Sequence, residues 1–90
     1  MRSLEIIKDI HKEFKCTYYQ NRRDTLKCIK GKYLIIIDIV REQGTNREVL
    51  RLLRYLIGDS NPYCKEQYMY VDNYNRNNMQ LLIDDLVSAY

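Results

Sequence analysis

Histidine, the side chain that enzymes most often use for acid–base catalysis, is rare in this chain. The 90 residues include one histidine, one proline and no tryptophan. With a single histidine, a hydrolytic triad or a histidine-based acid–base pair is improbable. No phosphate-binding loop and no complete catalytic set is present, and Asp72, Asp84 and Asp85 are expected to be surface charges. We therefore expect a protein that is not an enzyme and that uses no cofactor.

The chain has three cysteines. Cys16, Cys28 and Cys64 are an odd number at wide and irregular spacing, which argues against a disulfide framework and predicts buried, reduced thiols. Together with His11 they could provide zinc ligands, but no pair has the close spacing of a structural zinc site. The sequence therefore predicts no metal site, and His11 is expected to pack on the apolar side of a helix.

Long apolar runs are also absent. The longest unbroken one, residues 33–37, is far shorter than the roughly 20 residues that a membrane helix needs. The N-terminal segment has charges inside its apolar part, unlike a secretory signal, which predicts a cytoplasmic protein with no membrane association. With 46% apolar and 30% charged residues, the chain is expected to form one globular domain over residues 1–90.

The sequence does contain apolar residues at helical spacing. Behind Ser3, which can cap a helix, they recur at three- and four-residue steps, and a similar pattern lies near the C-terminus. Thr45-Asn46-Arg47-Glu48 has the pattern of a capping box, in which threonine and glutamate side chains bond the first free backbone amides of a helix. Asn61-Pro62 is a further helix start. The predicted helices are residues 3–20, 45–58, 76–89 and a segment from Asn61 through the tyrosine cluster at 63–74.

The most apolar stretch, residues 33–40, allows two interpretations. One is a hairpin of residues 25–29 and 32–40 that turns at Lys30-Gly31, which the β-branched residues favour. The other is one helix over residues 25–43 that ends before Gly44. In a strand, Asp38 would share a face with apolar side chains, where a carboxylate needs a partner. The helix, which turns Asp38 away from the apolar side, is therefore the favoured interpretation.

The favoured fold class is therefore all-α, a compact bundle of about five short helices. The alternative is an α+β fold with a small antiparallel sheet built from residues 25–40 and 67–71. Tyr68-Met69-Tyr70-Val71 has the high β-propensity that this alternative needs.

Arg47, Arg51 and Arg54 are the clearest charged feature. On a helix they fall within an arc of about 60°, opposite the leucine side, and their guanidiniums could hold phosphates or carboxylates through forked hydrogen bonds. Tyr55 is next to this arginine ridge, and Arg41 can approach it across the preceding turn. The plain alternative is a solvated helix face with no ligand.

Tyrosine is abundant, with nine residues. Most are expected to fill a core that lacks tryptophan, and a few to be exposed, because tyrosine and arginine often anchor protein interfaces. The predicted binding residues are Arg41, Arg47, Arg51, Arg54, Tyr55 and Tyr70.

These features together predict a small non-enzymatic protein that docks on a larger macromolecule, with a protein as the expected partner. In size and composition the chain resembles small virus- or mobile-element-encoded inhibitors of host defence, such as anti-CRISPR proteins. The alternative is a nucleic-acid-binding protein that uses the arginine ridge, with tyrosines stacking on bases; the net charge of +3 permits this. A homo-oligomer formed through the tyrosine-rich segment 63–74 is a third expectation.

Overall fold

The computed structural model describes residues 2–58 and 65–88, which form two helices and five strands. Two short 3₁₀ turns, Tyr19–Asn21 and Val71–Asn73, lie between them. The elements in chain order are α1 (Arg2–Glu13), β1 (Thr17–Tyr18), β2 (Leu26–Lys30), β3 (Tyr33–Arg41), β4 (Glu48–Leu56), β5 (Lys65–Tyr70) and α2 (Arg76–Val87).

All five strands belong to one antiparallel sheet, in the order β1-β2-β3-β4-β5. Each strand therefore pairs with its neighbour in sequence, as in a meander. The centre is the β3–β4 pair, which runs without a break from Tyr33 opposite Leu56 to Arg41 opposite Glu48. β1 is only two residues long, so the other edge, β5, is the longer one.

The all-α bundle predicted from the sequence is wrong, because the fold is α+β. Residues 25–43 form the β2–β3 hairpin instead of one helix, and most of the predicted 45–58 helix is strand β4. The sheet is larger than the alternative of residues 25–40 and 67–71, since it also contains β1 and β4. The segment predicted as helix from Asn61 is strand β5 over Lys65–Tyr70, and its first four residues lie outside the described part of the chain.

The terminal helices are confirmed. α2 begins at Arg76 as predicted, and the Asn75 side chain caps it by accepting a hydrogen bond from the Asn78 amide at 2.7 Å. α1 is shorter than the predicted 3–20. It ends at Glu13, and Lys15 then takes a left-handed conformation with φ 56° that turns the chain toward β1.

The predicted capping box at Thr45 is a hairpin turn. The Glu42 amide donates to the Arg47 carbonyl at 2.9 Å and the Asn46 amide donates to the Glu42 carbonyl at 3.0 Å, which closes the β3–β4 connection. The Thr45 hydroxyl accepts from the Arg47 amide at 3.3 Å and donates to Glu42 Oε1 at 2.7 Å. Threonine can serve a turn or a helix start with the same hydroxyl, so its pattern alone did not separate them.

Both helices pack on one side of the sheet, which makes a two-layer fold. Alternate side chains of the strands point to this side, as the pleat of a strand requires. The buried cluster there comprises Ile6, Ile7, Ile10, Cys16, Leu26, Cys28, Ile35, Ile37, Leu50, Leu52, Val71, Met79, Ile83 and Leu86.

Cys16 and Cys28 are joined by a disulfide inside this core, with their Cα atoms 4.7 Å apart. The prediction that the thiols are buried is confirmed for this pair, but the prediction that they are reduced is wrong. The bond ties the segment after α1 to β2. The odd number of cysteines argued against a disulfide framework, but it does not exclude one bond between two of the three. Cys64 lies outside the described residues.

Candidate functional site: the open face of the sheet

The side of the sheet that faces away from α1 and α2 is called the open face here. None of its side chains belongs to the buried cluster, and in the described ranges no helix packs against it. The pleat and the strand register assign to it Thr17, Lys27, Ile29, Leu34, Ile36, Asp38, Val40, Val49, Arg51, Leu53, Tyr55, Glu66, Tyr68 and Tyr70.

The strand register arranges these side chains in cross-strand rows. Residues directly opposite each other on antiparallel strands have Cβ atoms about 5 Å apart, so each row is a line of neighbours. From β2 to β5 the rows are Ile29–Leu34–Tyr55, then Lys27–Ile36–Leu53–Glu66, then Asp38–Arg51–Tyr68, and finally Val40–Val49–Tyr70, and Thr17 of β1 lies beside Lys27.

Much of the open face is apolar and accessible to solvent. Ile29 is 63% exposed and Tyr68 51% exposed, while Leu34, Ile36 and Leu53 are half-buried by their neighbours in the sheet. Scattered exposed apolar residues are ordinary, but contiguous apolar surface on a folded domain usually marks an interaction site. The contiguity of the rows is what makes this surface the candidate site.

An ion pair lies in the middle of the open face. Arg51 donates from Nε to Asp38 Oδ1 at 3.0 Å and from Nη2 to Asp38 Oδ2 at 2.6 Å, a two-pronged contact between adjacent strands. The side chains are 33% and 20% exposed, respectively. The hydrogen bond to Asp38 holds the pKa of Arg51 above its ordinary value. The pair leaves the centre of the face without net charge. Arg51 is also the partner that the Asp38 carboxylate needs in a strand, and the lack of an evident partner in the sequence was the reason for favouring a helix.

A second polar cluster closes one end of the face. The Arg47 guanidinium lies 3.7 Å from the centroid of the Tyr70 ring, and the Tyr70 hydroxyl donates to Glu42 Oε2 at 2.8 Å. Hydrogen bonds from Thr45 and then from Tyr70 lower the pKa of Glu42, and the bond to Glu42 raises the pKa of Tyr70. These contacts fix the Tyr70 ring beside Val49, which is the buried member of the open face.

The arginine ridge predicted from the sequence does not form, because successive side chains of a strand point to opposite sides. Arg51 lies on the open face, but Arg54 points to the helices, where it lies 4.3 Å from the centroid of the Tyr33 ring and donates to the Leu86 carbonyl at 2.6 Å. Arg54 therefore joins β4 to the end of α2. Arg41 is exposed at the end of β3, on the same side as Arg54.

Of the predicted binding residues, the structure brings Arg47, Arg51, Tyr55 and Tyr70 to the open face. Arg54 points to the helices, and Arg41 lies off the open face but lines a groove at the β5 edge. The aliphatic residues Ile29, Leu34, Ile36 and Leu53 were missed. A signal for them was present, since strands with apolar residues on both sides appear in a sequence as unbroken apolar runs.

A groove of about 830 Å³ continues the apolar surface around the β5 edge. Tyr68 and Tyr70 line it from the strand, while Leu81 and Leu82 line it from α2. Asp85 is also at this groove and accepts a hydrogen bond from Gln67 Nε2 at 2.6 Å. The surface available to a partner therefore extends past the sheet to α2.

Other chemistry in the described ranges is limited. His11 stacks on Tyr18 with ring centroids 4.5 Å apart, and residues 2–58 and 65–88 hold no group of three histidine, cysteine or acidic side chains that could bind a metal ion. Neither of the helices described above is long and apolar enough to span a membrane. The chain matches no protein-family model, and comparison with curated proteins and with solved structures finds no match. The open face is therefore the candidate functional site.

Proposed function

We propose that this protein is a non-enzymatic binding protein that docks on another protein through the open face of its sheet. The observation that carries the proposal is the contiguous apolar surface around Leu34, Ile36 and Leu53, left uncovered by both helices. The Arg51–Asp38 pair at its centre has no net charge, so a protein surface can cover it without leaving an isolated ion buried.

Binding to nucleic acid has less support. Phosphate contacts need cations that are free to approach the backbone. Arg51 is engaged by Asp38, Arg54 by the Leu86 carbonyl, and Arg47 by the Tyr70 ring. The proposed partner is therefore a protein.

Two finer expectations stay predictions. The role as a virus- or mobile-element-encoded inhibitor rests on size and composition, and the open face would be the surface by which such an inhibitor covers its target. The cytoplasmic setting has one observation against it, the Cys16–Cys28 disulfide, because disulfides persist mainly in oxidising compartments.

The proposal is tested by affinity capture with matched variants. A tagged chain serves as bait in an extract of the source cells that also contains the untagged chain. Leu53→Glu puts a carboxylate in the middle of the open face, and we expect at least about tenfold less captured protein, because the partner would have to bury an unpaired charge. Leu4→Glu is the control, since Leu4 is 45% exposed on α1, in the other layer.

Circular dichroism of both variants verifies that they are folded before capture is compared. The expected result is one protein captured by the wild type and by Leu4→Glu and lost with Leu53→Glu. Equal capture by Leu53→Glu and the wild type would remove the open face as the docking surface.

A further inference from the structure

We propose that the occupant of the open face is a second copy of this chain, so that two sheets pack face to face in a symmetric dimer. The inference rests on the proposed function, because it names the partner of the same surface. The two-fold axis lies between the sheets, parallel to the strands and over the line between β3 and β4. Rotation about this axis places β2 of one copy over β5 of the other, and β3 over β4.

The row Lys27–Ile36–Leu53–Glu66 shows the complementarity most clearly. It is basic at the β2 end, acidic at the β5 end and aliphatic between them. The rotation reverses the row end for end, so Lys27 faces the partner's Glu66 and Ile36 faces the partner's Leu53. Packed sheets are turned by about 30° relative to each other, and the long Lys27 and Glu66 side chains can span the resulting offset at the edges.

The next row adds a second match. Reversal places Asp38 against the partner's Arg51 and Arg51 against the partner's Asp38. The Arg51–Asp38 ion pairs of the two copies thereby become one closed network of alternating charge. The flanking rows bring Leu34 onto the partner's Tyr55, and Val40 onto the partner's Val49. Each of these contacts joins groups of the same polarity or of opposite charge.

The other face-to-face arrangement is much poorer. A two-fold axis across the strands would set Asp38 against the partner's Ile36, and Arg51 against the partner's Leu53. Covering an ion pair with aliphatic side chains removes its remaining water and supplies no new polar contact. The charge pattern therefore selects the axis parallel to the strands.

The covered surface is small. Only the row Lys27–Ile36–Leu53–Glu66 continues from β2 to β5, so after the rotation its four side chains and the two β3–β4 side chains of each other row lie opposite the partner. With strands about 4.8 Å apart and rows about 6.8 Å apart, these positions cover roughly 650 Å² in plan over the two copies, and more once the relief of the side chains is included. This area is below the roughly 1,000 Å² of a stable specific interface, so we expect a weak dimer with a dissociation constant on the order of tens of micromolar.

Charge reversal at the two ends of the row tests the geometry. Lys27→Glu alone or Glu66→Lys alone would place like charges together at both edges of the dimer, and we expect each to raise the dissociation constant about tenfold. The double variant Lys27→Glu/Glu66→Lys restores opposite charges, as does an equimolar mixture of the two single variants, so both should return to within about threefold of the wild type. Lys8→Glu, which makes the same charge change at an exposed position on α1, should have no effect.

Sedimentation equilibrium over roughly 5–200 µM protein measures these constants against the chain mass of 10.9 kDa. The inference is overturned by a wild type that stays monomeric, by a dimer that single charge reversals do not weaken, or by single variants that the mixture does not rescue. If the wild type is monomeric but Leu53-dependent capture yields a different protein, the dimer falls and the proposed function stands. If the chain is monomeric and capture does not depend on Leu53, both fall.

Discussion

At the scale of single residues, the Arg51–Asp38 pair determines which substitutions the middle of the open face can accept. Asp38 lies among apolar side chains in β3, and a carboxylate there is acceptable because Arg51 stands directly opposite on β4. A charge that is shielded from water costs most when its partner is removed, whereas replacing both partners by apolar residues can be neutral.

We therefore predict opposite outcomes for single and double replacement of this pair. Arg51→Leu should lower the free energy of unfolding by about 1–3 kcal/mol, since it leaves the Asp38 carboxylate unpaired. Asp38→Leu/Arg51→Leu should lie within about 1 kcal/mol of the wild type. Urea unfolding followed by circular dichroism measures both. A double variant that is as unstable as Arg51→Leu would contradict the prediction.

Asp9 makes a polar link between the two helices. Hydrogen bonds from Arg76, at 2.8 Å to Nη2, and from Tyr74, at 2.5 Å, lower the pKa of Asp9. A carboxylate whose pKa is lower in the folded state adds stability above its unfolded pKa of about 4, and that stability is lost as the pH falls through the folded value.

We predict that Asp9→Asn lowers the free energy of unfolding by about 1–2 kcal/mol near neutral pH, and that the difference from the wild type shrinks as the pH falls below about 4. Unfolding curves across this pH range provide the measurement. Asp24→Asn is the matched control, because its pair with Arg22 is 55–61% exposed and should contribute less than about 0.5 kcal/mol. A difference that does not depend on pH would contradict the role of the Asp9 charge.

At the scale of elements, the sequence describes the ends of the chain better than its middle. α2 has its start, its cap and its apolar spacing in local residues, so Arg76 could be identified without any tertiary contact. No local residue pattern identifies the start of β4. Thr45 suits a turn as well as a helix start, and only the pairing of β3 with β4 shows that it lies in a turn.

The Cys16–Cys28 disulfide joins the residue before β1 to the neighbouring strand β2. It closes a loop with a sequence separation of 12 residues, for which loop closure in the unfolded chain predicts about 2–3 kcal/mol of stabilisation. We predict that a reducing agent lowers the melting temperature of the wild type and leaves that of Cys16→Ala/Cys28→Ala unchanged.

Alkylation of the unfolded chain provides the direct assay of this bond. Cys16 and Cys28 should be protected from the reagent before reduction and should react after it. Three reactive cysteines before reduction would show that the bond is absent.

At the scale of the whole molecule, the apolar open face explains why the sheet was hard to predict. A two-layer domain with a solvated outer face has strands that alternate between apolar and polar residues. Here β3 and β4 carry aliphatic residues on both sides, so Ile35-Ile36-Ile37 and Leu52-Leu53 fit a helix as well as a strand. The apolar residues of the open face, which are proposed to bind a partner, thus also removed the two-residue alternation by which a strand is recognised in a sequence.

The sequence by itself determined the two terminal helices and the abundance of tyrosine and arginine, because these depend on composition and on contacts within one helical turn. Only the tertiary structure decided that the middle of the chain forms the strands β2, β3 and β4, that Asp38 meets Arg51, and that Arg51 and Arg54 lie on opposite sides. The physical reason is that strand pairing joins residues far apart in the chain. Whether a residue such as Leu53 belongs to the core or to an interface depends on which side of the sheet the helices cover.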